Sequence, residues 1–294
     1  MFDAEELLLG GPRGRRARVA MQEAQNRSHI AESAEAEFVL SMAAAAPAEV
    51  QQALGMRQAR IAGGVVTAMQ HDPTGGFWNK ALGFGFDQAF DAAALNEVLA
   101  FFDEAQAPAG VVQLSPVADP ATWPDLLTAR GLTPSATWAK FLSELKGPRD
   151  GATELDVRPI ELETTQQYAD VYARGFGMPT EGPFNEWACA LPSAPAWQCF
   201  GAWDGEQLIS VANLFITGTV GVLGGAATLD NARGRGGQTA LMAARINAAW
   251  HAGCEWISTE TGTETAADPN PSLHNMRRIG LDELYERRNW IYRR

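Results

Sequence analysis

One short stretch, Ala-Arg-Gly-Arg-Gly-Gly-Gln-Thr-Ala-Leu from Ala232 to Leu241, constrains this chain more than any other. It follows an apolar, strand-like run (Val220 to Leu229) and leads directly into a helix-like run (Thr239 to Trp250). Gly234, Gly236 and Gly237 let the backbone approach a ligand closely and turn its N–H groups inward. The helix start behind them adds unpaired N–H donors and the positive end of a dipole. Arg233 and Arg235 add full charge beside them. Strand, glycine loop and helix start together read as a seat for a phosphate or pyrophosphate.

Composition narrows what such a seat can serve. At 294 residues the chain suits two domains of about 150 residues each. Its net charge is −12, with 12 basic and 18 acidic residues up to Asp150 and 11 and 17 after it. A surface this acidic repels nucleic acid and anionic lipid, so neither is expected as a partner and any anion site must be local. No apolar run approaches the roughly 18 residues needed to span a bilayer, and no secretory leader opens the chain. A cytoplasmic location is expected. The odd set Cys189, Cys199 and Cys254 reads as reduced thiols. The histidines (His29, His71, His251, His274) lack metal-ligand spacing, so no metal is expected.

The pattern of elements divides the chain in two. Residues 1–20 hold a basic segment, Gly10 to Arg18, poor in large apolar residues, and read as a flexible tail. Ala31 to Met56 reads as helix broken by Pro47, then Ile61 to Met69 and Phe77 to Phe86 as strands around a turn at His71 to Gly76. Ala92 to Ala105 has helical spacing, Gly110 to Leu114 is a short buried strand, Trp123 to Arg130 a helix and Thr137 to Leu145 a strand. Residues 147–152 form a Gly/Pro linker, which bounds a first domain at 21–146 and a second at 153–294. In the second, Leu155 to Ile160 reads as strand, Thr164 to Arg174 as helix, and Gln198 to Trp203 with Gln207 to Ile216 as a hairpin across Asp204-Gly205. After the glycine loop come Trp256 to Glu260 as strand, Ser272 to Ile279 as helix and Leu284 to Tyr292 as strand. The shared order of elements in the two halves points to an old duplication.

The loop fails one familiar use of a phosphate seat and fits another poorly. An ATPase loop needs a lysine before its Ser/Thr, but Gln238 precedes Thr239 and no lysine follows Lys146. A dinucleotide fingerprint is met at Gly234 and Gly236 but broken at Thr239, and only some 35 residues follow Glu260, too few for a second half-sheet. Arg233-x-x-Gly236-x-Gln238 instead resembles the pyrophosphate loop of the GNAT superfamily, the GCN5-related N-acetyltransferases. Asn270-Pro-Ser272-Leu-His-Asn275, running on to Gly280-Leu281, resembles that family's second signature. The likeness covers residues 153–294. The first half resembles the same fold with its chemistry removed, because Asp87 and Asp91 stand where its loop would lie. The resemblance implies an α/β (α+β) chain of two GNAT-like domains, each a mixed, mostly antiparallel sheet flanked by helices.

It also implies acetyl-CoA as co-substrate and a primary amine of a small molecule or peptide as acceptor. The expected contacts are a backbone N–H near Thr228 for the thioester carbonyl and the amides of Gly234, Arg235, Gly236, Gly237, Gln238 and Thr239 for the pyrophosphate, with Arg233 alongside. Asn270, Ser272 and Asn275 either bond the pantetheine arm or serve as turn and helix cap. Glu260, at a strand end, is the candidate base, and a solvated strand-end carboxylate is the plain alternative. The family's usual tyrosine acid is replaced by Met276, which leaves Tyr285 as a substitute. Phe176, Met178, Phe184 and Trp187 are candidates for an acceptor pocket, with Glu181 or Glu186 to draw in a cation. A non-catalytic acyl-CoA-binding module and a longer acyl donor remain open, as do monomer and homodimer.

Overall fold

The computed structural model describes residues 12–118 and 122–294. The chain opens with a long helix, α1 (Pro12–Ala44), which ends before Pro47 and is followed by α2 (Ala48–Leu54). Helix therefore replaces the expected tail over residues 12–20: the Ala, Arg, Met, Gln and Glu residues there and just beyond have high helix propensity, and they carry α1 outward. The rest of the expected tail lies outside the described residues. Then come β1 (Met56–Ile61), β2 (Gly64–Met69), β3 (Lys80–Leu82), α3 (Ala92–Glu104), β4 (Ala109–Gln113), α4 (Trp123–Ala129) and β5 (Thr133–Glu144). The second half repeats the theme with β6 (Asp156–Pro159), α5 (Thr165–Gly175), α6 (Pro183–Ala190), β7 (Trp197–Asp204), β8 (Gln207–Thr217) and β9 (Val220–Thr228). It closes with α7 (Gly237–His251), β10 (Trp256–Gly262), α8 (Pro271–Arg278) and β11 (Glu283–Arg293). Among the described residues no helix is long and apolar enough to cross a membrane, and no group of three or more His, Cys, Asp or Glu side chains is placed to hold a metal.

Two local features differ from the sequence expectation. Where one strand was expected from Ile61, the chain makes the hairpin β1–β2 about Ala62 and Gly63, both with positive φ (47° and 79°). That backbone suits a two-residue hairpin turn, and an alanine in the first position hides it from view. The expected strand Phe77 to Phe86 shortens to Lys80–Leu82, because Gly83 and Gly85 follow with φ near 85°.

Among the described residues the eleven strands form one sheet, in the order β1-β2-β3-β4-β11-β5-β10-β9-β8-β7-β6. The last strand of each half crosses over. β5, from the first half, pairs antiparallel with β10, and β11, from the second, pairs antiparallel with β4. β5 and β11 pair with each other at the centre. Residues 145–155, which include the expected linker, contain neither helix nor strand, but the sheet runs unbroken past them. α1 lies across this junction, touching β2, β3, β5, β8, β9 and β10.

The seam holds charge as well as apolar packing. Ala139, Phe141 and Leu142 of β5 are fully buried there. Arg287 of β11, with no exposed side-chain surface, bonds Glu32 at 2.6 Å and Glu35 at 2.8 Å on α1, and Glu260 at 2.5 Å on β10. Lys140 of β5 pairs with Glu35 and lies 3.4 Å from Glu260. Removing one member of a buried ion network leaves the others uncompensated, which costs more than the intact network contributes. Arg287→Met is expected to lower stability by about 3–5 kcal/mol in urea unfolding. A loss under about 1 kcal/mol, the range of exposed pairs, would show that the seam does not depend on this residue.

Candidate functional site

The site begins where two parallel strands part. β9 and β10 pair from Val220↔Trp256 to Leu223↔Thr259 and no further. Thr259 Oγ1 closes the last paired position by donating to the Leu223 carbonyl at 2.8 Å. Beyond it β10 is held by β5 (Glu260↔Lys140, Thr261↔Ala139) and β9 by β8 alone, so a gap opens between them. A register shift in β9 sets Gly225 and Ala226 opposite the single residue Ala212. Gly225 has φ 55°, and a side chain there would meet Asn213 Nδ2 at 2.7 Å and the Tyr172 ring at 2.9 Å. Glycine is required for this bulge, which turns backbone groups out of the ladder.

The glycine loop lies beside this gap. Gly236, in the left-handed region with φ 79°, is the N-cap of α7, and no side chain caps the helix. The first bond of the helix is donated by Ala240 to Gly236 at 3.0 Å, so the amides of Gly237, Gln238 and Thr239 have no intrahelical partner. The corresponding helix of the first half is built differently. Asp91 caps α3, accepting from Ala93 N at 3.0 Å and Ala94 N at 2.9 Å. Beyond its paired strands β3 and β4, Phe84, Phe90 and Trp123 pack together, with ring centroids 4.5 and 5.9 Å apart. One half keeps an uncapped helix start beside parted strands. In the other a carboxylate takes the corresponding donors and rings fill the space beyond the strands.

Between β9 and β10 opens a cavity of about 500 Å³, reached by both halves of the chain. Its loop end is formed by Gln238 and Met242 of α7 with Ser272 and Met276 of α8. Gly224, Gly225 and Ala226 line one strand side; Ser258, Thr259, Glu260 and Thr261 line the other. From the first half come Phe77, Trp78, Lys80, Trp138 and Lys140, and from α1 come Glu35 and Phe38. Tyr172, Phe176 and Met178 complete the apolar wall. Ser258 Oγ is buried on this wall without a hydrogen-bond partner. Open amides, a bulged glycine strand and an unpartnered hydroxyl along one channel suit a phosphate-ended, amide-bearing arm.

Glu260 of β10 brings a carboxyl to this cavity. Burial and the nearby Glu35 charge push its carboxyl above the ordinary value, against the opposing pull of Lys140, Arg287 and Lys80. For Glu35 burial also acts upward, but Arg287, Lys140 and Lys80 together outweigh it and hold that carboxyl well below the ordinary value. Two carboxylates that share cations thus separate in acidity, and the one on β10 takes up a proton more readily. Arg245 of α7, almost fully buried, bonds the carbonyls of Leu241, Asn213 and Gly224 and has no carboxylate partner among the described residues. Burial lowers it to about 9, so it is still charged at neutral pH.

Several residues singled out in the sequence take other places. The hydroxyl of Tyr285 donates to Glu32 at 2.6 Å and does not line the cavity, so it stands as part of the seam. Thr228 remains in the β8–β9 ladder opposite Ser210, and the turned-out backbone lies at Gly225–Ala226 instead. Arg233 and Arg235 are drawn to acids at the rim, Asp230 at 2.8 Å and Asp204 at 2.5 Å. Asn270 caps α8 through Ser272 N (3.0 Å) and Leu273 N (3.4 Å), and its Nδ2 donates to Gly262 O and Thr261 Oγ1. Asn275 donates to Gln238 Oε1 at 3.3 Å and so ties α8 to the loop. Phe184 and Trp187 pack in the core; Phe176 and Met178 do reach the cavity. Glu181 and Glu186 do not line it. Sequence reasoning missed Glu35, Lys80, Lys140, Arg245 and Arg287. The readable signal was the rarity of lysine: of Lys80, Lys140 and Lys146, the chain's whole set, the first two line the cavity.

Comparison with solved structures matches this architecture. A GCN5-related N-acetyltransferase from Sphaerobacter thermophilus superposes with a TM-score of 0.57 at 12% identity, covering 78% of this chain and 80% of that one. One from Kribbella flavida gives 0.57 at 15% identity, covering 82% and 92%. A tandem GNAT protein from the clavulanic acid biosynthesis pathway gives 0.56 at 14% identity, covering 92% and 94%. No protein-family model matches the sequence, and a search of curated proteins finds no match. The likeness is one of fold: the chain consists of two GNAT-like halves joined in tandem.

The Glu35 shift has a consequence for stability. On acidification the unfolded chain binds this proton before the folded one does, so the contribution of ionised Glu35 is present above about 4.5 and is lost as pH falls further. Melting temperature is expected to fall below pH 4.5, and more gently in Glu35→Gln than in the wild type. Parallel acid limbs for the two proteins would contradict the assignment.

Proposed function

We propose that this chain is an N-acetyltransferase that passes the acetyl group of acetyl-CoA to a primary amine by direct attack on the thioester. The observation that carries this reading is a single alignment: the uncapped start of α7, the gap between β9 and β10, and Glu260 lie along one cavity. The tandem GNAT fold supports it. Bound acetyl-CoA supplies an acyl group activated by its bond to sulfur.

The chain's own groups do the rest. The amides of Gly237, Gln238 and Thr239 hold the pyrophosphate at the positive end of α7. The exposed edges of β9 and β10 receive the pantetheine arm as an added strand is received. A backbone N–H at the Gly225–Ala226 bulge faces the charge that develops on the carbonyl oxygen. An amine attacks only when neutral, so one proton of the ammonium passes to Glu260, directly or through water. Its nitrogen then bonds the carbonyl carbon and the carbon–sulfur bond breaks. The second nitrogen proton passes to solvent as the amide forms. Met276 cannot protonate the departing sulfur. A thiol is acidic enough for its thiolate to leave unprotonated, and solvent then supplies the proton that makes it a thiol.

A thiol-release assay with acetyl-CoA and a panel of amines tests the reading. Glu260→Gln, with its fold verified by circular dichroism, is expected to lose about 10²–10⁴ in kcat while its affinity for CoA changes little. Wild-type activity should rise with pH as Glu260 gives up its proton, and this ascending limb should disappear in the variant. Tight CoA binding with no turnover on any amine would mark a binding module and overturn the enzyme reading.

A further inference from the structure

Lys80 is the unexplained charge in the cavity. It stands on β3, in the half whose own anion seat is closed, and is only 8% exposed. Its Nζ is held only loosely, in one long ion pair, and faces the cavity. The nearest carboxylate oxygen, Glu260 Oε1, is 3.8 Å away, and the rings of Phe77 and Trp138 lie 4.9 and 5.4 Å off. Lys140, by contrast, bonds Glu35. An ammonium carries three donors, and one long ion pair with two aromatic faces leaves it able to take a further acceptor from the cavity. The lining as a whole favours an anion: Lys80, Lys140 and Arg245 face Glu35 and Glu260.

On the transfer reading above, we infer that the acceptor is an α-amino acid with an apolar side chain and that Lys80 binds its carboxylate. An α-amino acid carries its nitrogen and carboxylate on one carbon. It therefore bridges the neighbouring Glu260 and Lys80, with the amine at the base and the carboxylate on the ammonium. The side chain then falls among Phe77, Trp78, Trp138 and Met178, where large apolar groups are buried well. Charge balance supports the same choice. A zwitterion adds no net charge to a buried site, whereas a simple ammonium adds one beside Lys80 and Lys140. The first half thus supplies the specificity for chemistry performed by the second.

The test compares leucine and phenylalanine with their carboxamides and with the corresponding decarboxylated amines, by thiol release from acetyl-CoA. The wild type is expected to prefer the amino acids by about 100-fold in kcat/KM, because an unfilled buried charge penalises the analogue that lacks the partner. Lys80→Met should bring acid and amide to within about threefold of each other, mainly through the KM of the acid, and Lys80→Arg should restore part of the preference. Equal or better use of amides and amines by the wild type would overturn the inference, whether or not the variant folds. If no acceptor releases thiol, the transfer reading fails on its own. The carboxylate site is then judged by thermal stabilisation of the CoA-loaded protein: stabilisation by leucine and not leucinamide upholds it, and equal effects overturn it.

Discussion

Arg287 holds this molecule together at the point where its two halves exchange strands. One guanidinium reaches Glu32 and Glu35 on the first helix and Glu260 on the strand that borders the gap. Because β5 and β11 each lie in the other half's portion of the sheet, neither half closes its sheet alone. Buried ion networks add little net stability against apolar packing, but they specify one arrangement strongly, since any other leaves charges unpaired. Here the arrangement specified is the one that sets Glu260, Lys140 and Lys80 around a single cavity.

That seam explains how two halves of similar build divide their work. The second half keeps an uncapped helix start and parted strands. In the first, the Asp91 carboxylate occupies the donors of α3, and Phe84, Phe90 and Trp123 pack where an arm would pass. Phe77, Trp78 and Lys80 from the first half, with Trp138 and Lys140 from its exchanged strand, stand opposite the second half's bulge at Gly225. The acidic surface of the chain is no obstacle to anions here, because the local groups are buried and weakly screened.

Much of this was legible in the sequence where local rules govern. Glycine spacing and the helix pattern from Thr239 placed the start of α7, and the Asp204-Gly205 turn placed the β7–β8 hairpin. Asn270 showed both of its readings, and its capping bonds supply the plainer one. What escaped depends on long-range pairing. No local pattern reveals that β5 crosses to β10, so Lys140 read as one residue of an ordinary strand. Tyr285 sat at a plausible distance along the chain from the Asn signature, but the exchange of β11 turned its hydroxyl to Glu32. Thr228 stays in the ladder, and the bulge at Gly225–Ala226 is one that only the register of β8 against β9 exposes. The hairpin turn at Ala62–Gly63 was hidden because alanine rarely adopts positive φ.

On the proposed function, the start of α7 binds the acyl donor and the first half binds none. A crystal structure of the protein grown with excess acetyl-CoA decides this. One molecule per chain is expected, its pyrophosphate on the amides of Gly237 to Thr239 and its thioester beside Gly225 and Glu260. A molecule seated at the start of α3 between β3 and β4, or a thioester directed away from Glu260, would contradict it.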